Sequence, residues 1–277
     1  QTLHERTGQL RTSGLYGRES TKLAGDGTTG RFDMGGMLGW ESPHCEPFRE
    51  VLCHPTIAAA LNELVGVGYR LDHSPLLIVQ QKGAEGFELH GGNLGATGEW
   101  NYQTAYVYQG ERCHNFLLNM SIALTDNDGS SGGFAVLPGS HKSNLAPPAG
   151  LRACEPEYMS MLQRPALKAG DAILFSEGTL HGTLPWTGED ERRAVFFRFT
   201  MPTHAYARGY TEGWPEDVLD KVTDEQRVVL EPPYAVRLNR NTLRAPTDGG
   251  DVERVVAQPR DPKKVEFDET VFKRAYF

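Results

Sequence analysis

Short apolar runs, broken by glycine, proline and asparagine, set the rhythm of this 277-residue chain. Leu76–Val79, Leu117–Leu124, Phe134–Leu137, Ala172–Phe175 and Ala194–Phe199 are rich in β-branched and aromatic residues and read as strands. Two helical patterns precede them. Pro47–Leu52 breaks at Pro55, and Ile57–Val65 stops at Gly66. Residues 153–163 and 216–229 also carry helical patterns. Because no helices alternate with the strands, the pattern predicts an antiparallel sandwich or barrel and not a parallel α/β sheet. The first 45 residues show little periodicity and read as an irregular wrap, and the charged stretch 231–277 as an outer extension.

Composition narrows the class. A mass of 30.6 kDa suits one large β domain over residues 1–277, with a core at about 67–201, a wrap 1–66 and an extension 202–277. The net charge of −8 argues against a nucleic-acid partner, which would require a basic stripe. No apolar run is long enough to span a membrane. Cys45, Cys53, Cys113 and Cys154 lack paired spacing and read as reduced thiols of a soluble, intracellular protein. The chain opens Gln1-Thr2-Leu3, so the expectation is a trimmed chain, any targeting segment lying before Gln1.

Chemistry enters with two histidines. His90 ends Phe87-Glu88-Leu89-His90-Gly91-Gly92, and His181 opens His181-Gly182-Thr183, with Arg192 eleven residues on. Imidazoles at two strand ends can meet in a barrel mouth and hold divalent iron. Residues i and i+2 of a strand share a face, so Gly92 sits beside His90, where a two-histidine-one-carboxylate site carries its acid. No acid stands there. Arg192 heads a strand and can fork onto a carboxylate, and Thr183 faces the same way as His181. Gln80 offers a further hydrogen bond to a co-substrate, or faces solvent at an edge. The polar, aromatic loop after Gly92 reads as a lid or substrate wall, with Asn93, Trp100 and Tyr102, and His114 beyond it, as pocket candidates. The plainer reading is packing and surface. The other histidines read as ordinary surface or hydrogen-bonded residues.

Leu89-His90-Gly91-Gly92, Gly132 through Pro138-Gly139-Ser140-His141-Lys142, and His181-Gly182-Thr183 with Arg192 resemble the phytanoyl-CoA dioxygenase family over roughly residues 47–201. The resemblance implies a double-stranded β-helix (jelly-roll, cupin-like) core with flanking helices, and an Fe(II)- and 2-oxoglutarate-dependent reaction with O2. By position it implies His90 and His181 as iron ligands, with Arg192 and Thr183 on the far carboxylate of 2-oxoglutarate. Gly92 departs from the family's His-x-Asp. The same loss resembles the non-haem iron halogenases, which implies chloride or bromide at iron and halogen transfer to a small-molecule substrate. The alternatives are an atypical hydroxylase that borrows an acid (Glu99, Asp126 and Asp128 being candidates) and, from another class, a non-catalytic jelly-roll binding protein. Oligomeric state is not legible.

Overall fold

The computed structural model describes residues 10–11, 23–94, 98–206, 214–234 and 240–273. Most of the expected wrap before Leu23, and Gly95-Ala96-Thr97 of the loop after Gly92, lie outside them. In chain order the strands are β1 (Leu10–Arg11), β2 (Arg31–Met34), β3 (Arg70–Gln80), β4 (Phe87–His90), β5 (Val107–Gln109), β6 (Arg112–His114), β7 (Leu117–Ala123), β8 (Gly133–Val136), β9 (Ala172–Ser176), β10 (His181–Leu184), β11 (Arg192–Thr200), β12 (Thr242–Arg244) and β13 (Glu253–Val255). All five expected apolar runs are strands.

The six-stranded sheet runs β1-β2-β3-β11-β7-β9 and the three-stranded sheet β4-β10-β8. Leaving aside the small β5–β6 hairpin, the chain alternates between them: β3, β7, β9 and β11 lie in the larger sheet, and β4, β8 and β10 in the smaller. That winding is a jelly roll. A bridge from Val136 to Gln163 adds one more contact beside β8. The two inner faces meet through aromatic rings, with Phe134 of β8 5.0 Å from Phe175 of β9. On the outer face of the smaller sheet, Leu89, Ala135 and Leu184 pack with Leu151 and Leu162. Each of these leucine side chains, taken out of water, contributes about 1.5–3 kcal/mol.

Burial explains why β7 reads as a long mixed run. Its residues are buried on both faces apart from Ile122, so alternation is suppressed and the polar Asn119 and Ser121 are interior residues. Asn119 lies opposite Phe175 in the β7–β9 ladder.

The chain divides into two compact units, Gln1–Met37 with Ser74–Arg198, and Leu38–His73 with Phe199–Phe277. The first holds the jelly roll. In the second, the helix Pro55–Leu64 and the helix Asp224–Leu230 both touch β12 of the β12–β13 hairpin. Asp224–Leu230 opens with a capping box, Thr223 and Gln226 each bonding the other's backbone. The final helix, Pro262–Phe272, starts at the Asp261 cap. Leu243 of β12 is buried within this unit, so the 231–277 stretch contributes to a core and is more than an outer wrap. The four cysteines are free. No helix among the described residues is long and apolar enough to cross a membrane.

Candidate metal centre

His90 and His181 are direct cross-strand partners in the β4–β10 ladder, which brings their ring centroids to 4.2 Å. Each ring is oriented by its own strand. His90 Nδ1 lies 3.0 Å from the Glu88 carbonyl, and His181 Nδ1 lies 2.8 Å from the Thr179 carbonyl. A carbonyl accepts only, so each Nδ1 carries a proton, which leaves Nε2 as the atom of either ring that can bind a metal. Burial, and then the neighbouring His90, pull the pKa of His181 down to about 4. It is therefore neutral near pH 7, as a ligand must be.

The third group is Glu177. One ligand atom from each of His90, Glu177 and His181 lies within 4.8 Å of the others. Glu177 follows β9 and is tied by its backbone on both sides. Its N–H donates to the Leu117 carbonyl at 3.0 Å, and its carbonyl accepts from the Gly92 N–H at 3.3 Å. Asn119 Nδ2 donates to the carboxylate at 2.6 Å, and Arg198 Nε donates to Asn119 Oδ1 at 3.1 Å. Burial alone would favour a protonated Glu177. His181, the Asn119 amide, His90 and Arg198 outweigh it, so the pKa falls below the usual carboxylate value. Two imidazoles and one buried carboxylate suit divalent iron.

This corrects the expectation at Gly92. Strand β4 ends at His90, and Gly91 and Gly92 turn away with φ of +85° and +94°, so the alternation that would place residue 92 beside His90 stops there. A Cβ at Gly92 would meet Leu180 at 3.6 Å and the Leu94 carbonyl at 3.9 Å. At Gly91 a Cβ would lie 2.4 Å from the Glu177 carbonyl. A glycine is thus required for the Glu177 turn to approach. The acids weighed from sequence are engaged elsewhere or exposed: Asp126 pairs with Lys168, Asp128 binds Ser130, and Glu99 is on the surface.

The Pro138–Lys142 string braces the same turn. Ser140 Oγ donates to the Leu137 carbonyl at 2.7 Å and accepts from the Leu180 N–H at 2.8 Å, one residue before His181.

A cavity of about 220 Å³ opens on the two histidines, lined among others by Asn119, Thr183, Phe196, Arg198, Arg31 and Asp33. Arg192 is not part of that lining. It stands on the same face of β11 as Phe196 and Arg198 by two-residue spacing, and donates to Gln80 Oε1 at 2.8 Å. Burial, and then Arg31, lower its pKa to about 10, so it stays charged near neutrality. Gln80 is fully buried, with Nε2 on the Glu85 carbonyl, so it holds Arg192 and faces neither solvent nor cavity.

The pocket candidates on the long loop are not gathered at the cavity. Trp100 and Tyr102 are 42% and 77% exposed and pack edge-to-face on one another. His114 lies on exposed β6 with Nε2 3.2 Å from the Gln109 carbonyl. Asn93 is buried but committed to backbone, donating to the His141 and Ser143 carbonyls and accepting from the Tyr106 N–H. Composition alone does not reveal that exposure. Glu177, Asn119, Arg198 and Arg31 are the site residues missed from sequence. The available signal for Glu177 was an acid four residues before a ligand histidine, in the turn joining their strands.

The phytanoyl-CoA dioxygenase (PhyH) family model matches residues 39–194, more than half of the chain. The chain belongs to the phytanoyl-CoA dioxygenase family. It is thereby an enzyme of the iron- and 2-oxoglutarate-dependent oxygenase superfamily. No curated protein matches the sequence. Among solved structures, this family member is similar to HygX from Streptomyces hygroscopicus with nickel, 2-oxoglutarate and hygromycin B bound, at 20% identity over 65% of this chain and 86% of that one, with a TM-score of 0.47. It is also similar to EctD from S. alaskensis with 2-oxoglutarate and 5-hydroxyectoine, at 19% identity over 61% and 56% of the two chains, with a TM-score of 0.45.

Proposed function

We propose that this chain oxidises a C–H bond of a small molecule, with Fe(II) held by His90, His181 and Glu177 and 2-oxoglutarate anchored by Arg192 and Thr183. The observation that carries it is the convergence of a buried carboxylate on two histidines whose Nδ1 atoms are both occupied. Bound there, ferrous iron with 2-oxoglutarate and O2 supplies the oxidising power, the co-substrate leaving as succinate and carbon dioxide.

The residues do the rest. The Glu88 and Thr179 carbonyls keep Nε2 of each ring directed at the metal. Asn119 and Arg198 hold the Glu177 carboxylate ionised. Arg192, its head fixed by Gln80, keeps its remaining donors for a carboxylate, and Thr183 adds a hydroxyl from the cavity wall. The aromatic part of the lining offers an apolar wall for the body of the substrate. With Glu177 as the third ligand, hydroxylation is the reading the site favours.

Halogenation is the second reading. It requires chloride or bromide to bind beside or in place of Glu177. Incubation of the iron-loaded enzyme with 2-oxoglutarate, a substrate panel and either halide separates the two. Succinate formation abolished by Glu177→Ala, with oxygenated product under every halide condition, is expected. A halogen isotope pattern from the native enzyme would establish the second reading. Full succinate formation and iron affinity in Glu177→Ala would overturn the assignment of the ligand.

A further inference from the structure

Two arginines line the cavity, and among the described residues Arg31 alone of the two forms an ion pair with a carboxylate. Arg31 is gripped by Asp33 through two contacts of 2.9 and 3.0 Å. Arg198 spends Nε on the Asn119 amide, and no acidic side chain among the described residues forms an ion pair with it. A guanidinium has five donors, so its terminal nitrogens remain available to the cavity it lines.

From this geometry we infer that Arg198 is the receptor for an anionic group on the substrate, so that the substrate class is a carboxylate carried on an apolar or aromatic body. The inference rests on the proposed iron and 2-oxoglutarate assignments. Arg192 and Arg198 stand six residues apart, about 20 Å along one face of β11, and different amides fix them, Gln80 for one and Asn119 for the other. One arginine thus serves the co-substrate end and the other the metal end.

Charge supports the same division. Ferrous iron and dianionic 2-oxoglutarate cancel, and so do Arg31 and Asp33. Arg192 lies outside the cavity lining and is spent on Gln80 and the co-substrate, which leaves Arg198 as the cation of the cavity wall with no ion-paired acid among the described residues. The rest of the lining sets the guest's body: Phe87, Phe134, Phe175, Phe196, Leu76 and Ile78 form the apolar wall. A fork on a carboxylate fixes orientation as well as affinity, which selects one C–H bond to face the metal.

Phenylacetate and phenylacetamide are matched probes, differing in charge and not in shape. Calorimetry on nickel-loaded protein saturated with 2-oxoglutarate is expected to show phenylacetate binding about tenfold more tightly. Arg198→Gln should abolish that preference and Arg198→Lys should keep part of it, each variant being titrated at saturating nickel because Arg198 also supports Glu177 through Asn119. Equal binding of the two probes by the native protein, or a preference that survives in Arg198→Gln, overturns the inference. Failure of the native protein to bind nickel would instead count against the iron assignment, and the probe comparison on metal-free protein would still decide the role of Arg198.

Discussion

Asn119 and Glu177, 58 residues apart in sequence, share a hydrogen bond of 2.6 Å. The amide can only be oriented one way, because Arg198 donates to its oxygen. Replacing Asn119 by Leu removes the donor and leaves a buried carboxylate short of a partner, at a cost of about 1–3 kcal/mol. Nickel affinity is expected to fall about 10–100-fold. Thermal melting and metal titration measure the two effects separately, and unchanged affinity would remove Asn119 from the site.

Gly91 admits the Glu177 turn. Gly91→Ala would drive a methyl to within 2.4 Å of the Glu177 carbonyl at a residue with φ of +85°. Backbone on both sides leaves no flexible side chain to yield, so a loss of stability above about 2 kcal/mol is expected. Weakened metal binding should accompany it. Denaturant unfolding checks this, and a variant as stable as the native chain would contradict the packing described.

Gly92→Asp tests whether residue 92 can serve as a ligand. With φ of +94° and Leu180 at 3.6 Å, the side chain meets strain and an apolar neighbour. The substitution is expected to cost about 1–2 kcal/mol and not to restore iron binding in a Glu177→Ala background. Recovery of iron affinity in the double variant, read by metal titration, would show that the loop can bring residue 92 to the metal.

The metal-free protein should lose stability between about pH 6.5 and 4. His181 has a pKa of about 4 when folded, against about 6.5 when unfolded. In that window the unfolded chain binds a proton that the folded chain refuses, so stability falls as pH falls, by about 2–3 kcal/mol in all. Glu177, with its depressed pKa, acts in the same direction at lower pH. His181→Phe should flatten the slope, measured as melting temperature against pH. An equal slope in both proteins would place the titration elsewhere.

Arg192→Met should raise the dissociation constant for 2-oxoglutarate at least about 100-fold, the loss of a charge-assisted fork, and leave nickel affinity nearly unchanged. Arg192→Lys should recover little, since one ammonium cannot hold both Gln80 and a carboxylate in plane. Calorimetry with 2-oxoglutarate on nickel-loaded protein is the measurement. Undiminished binding in Arg192→Met would move the anchor to another cation, with Arg31 the nearest cavity candidate.

The sequence by itself determined the strands from Leu76 to Phe199, the antiparallel class and the two histidines. Each depends on local periodicity or on a short string, and burial in a two-sheet core preserves both. It could not reveal Glu177. An acid in a turn looks like any other until the β9–β10 connection is folded beside β4, and Gly92 attracted attention because alternation was carried past a strand that ends at His90. Asn119 and Arg198 were equally hidden, since interior polar residues in apolar runs acquire meaning only from the neighbours that meet them. The aromatic loop points in the opposite sense: Trp100 and Tyr102 have the composition of a wall, yet both stand at the surface. Chain chemistry chose the donors, and tertiary packing decided which of them meet, because metal binding depends on distances between side chains that are remote in sequence.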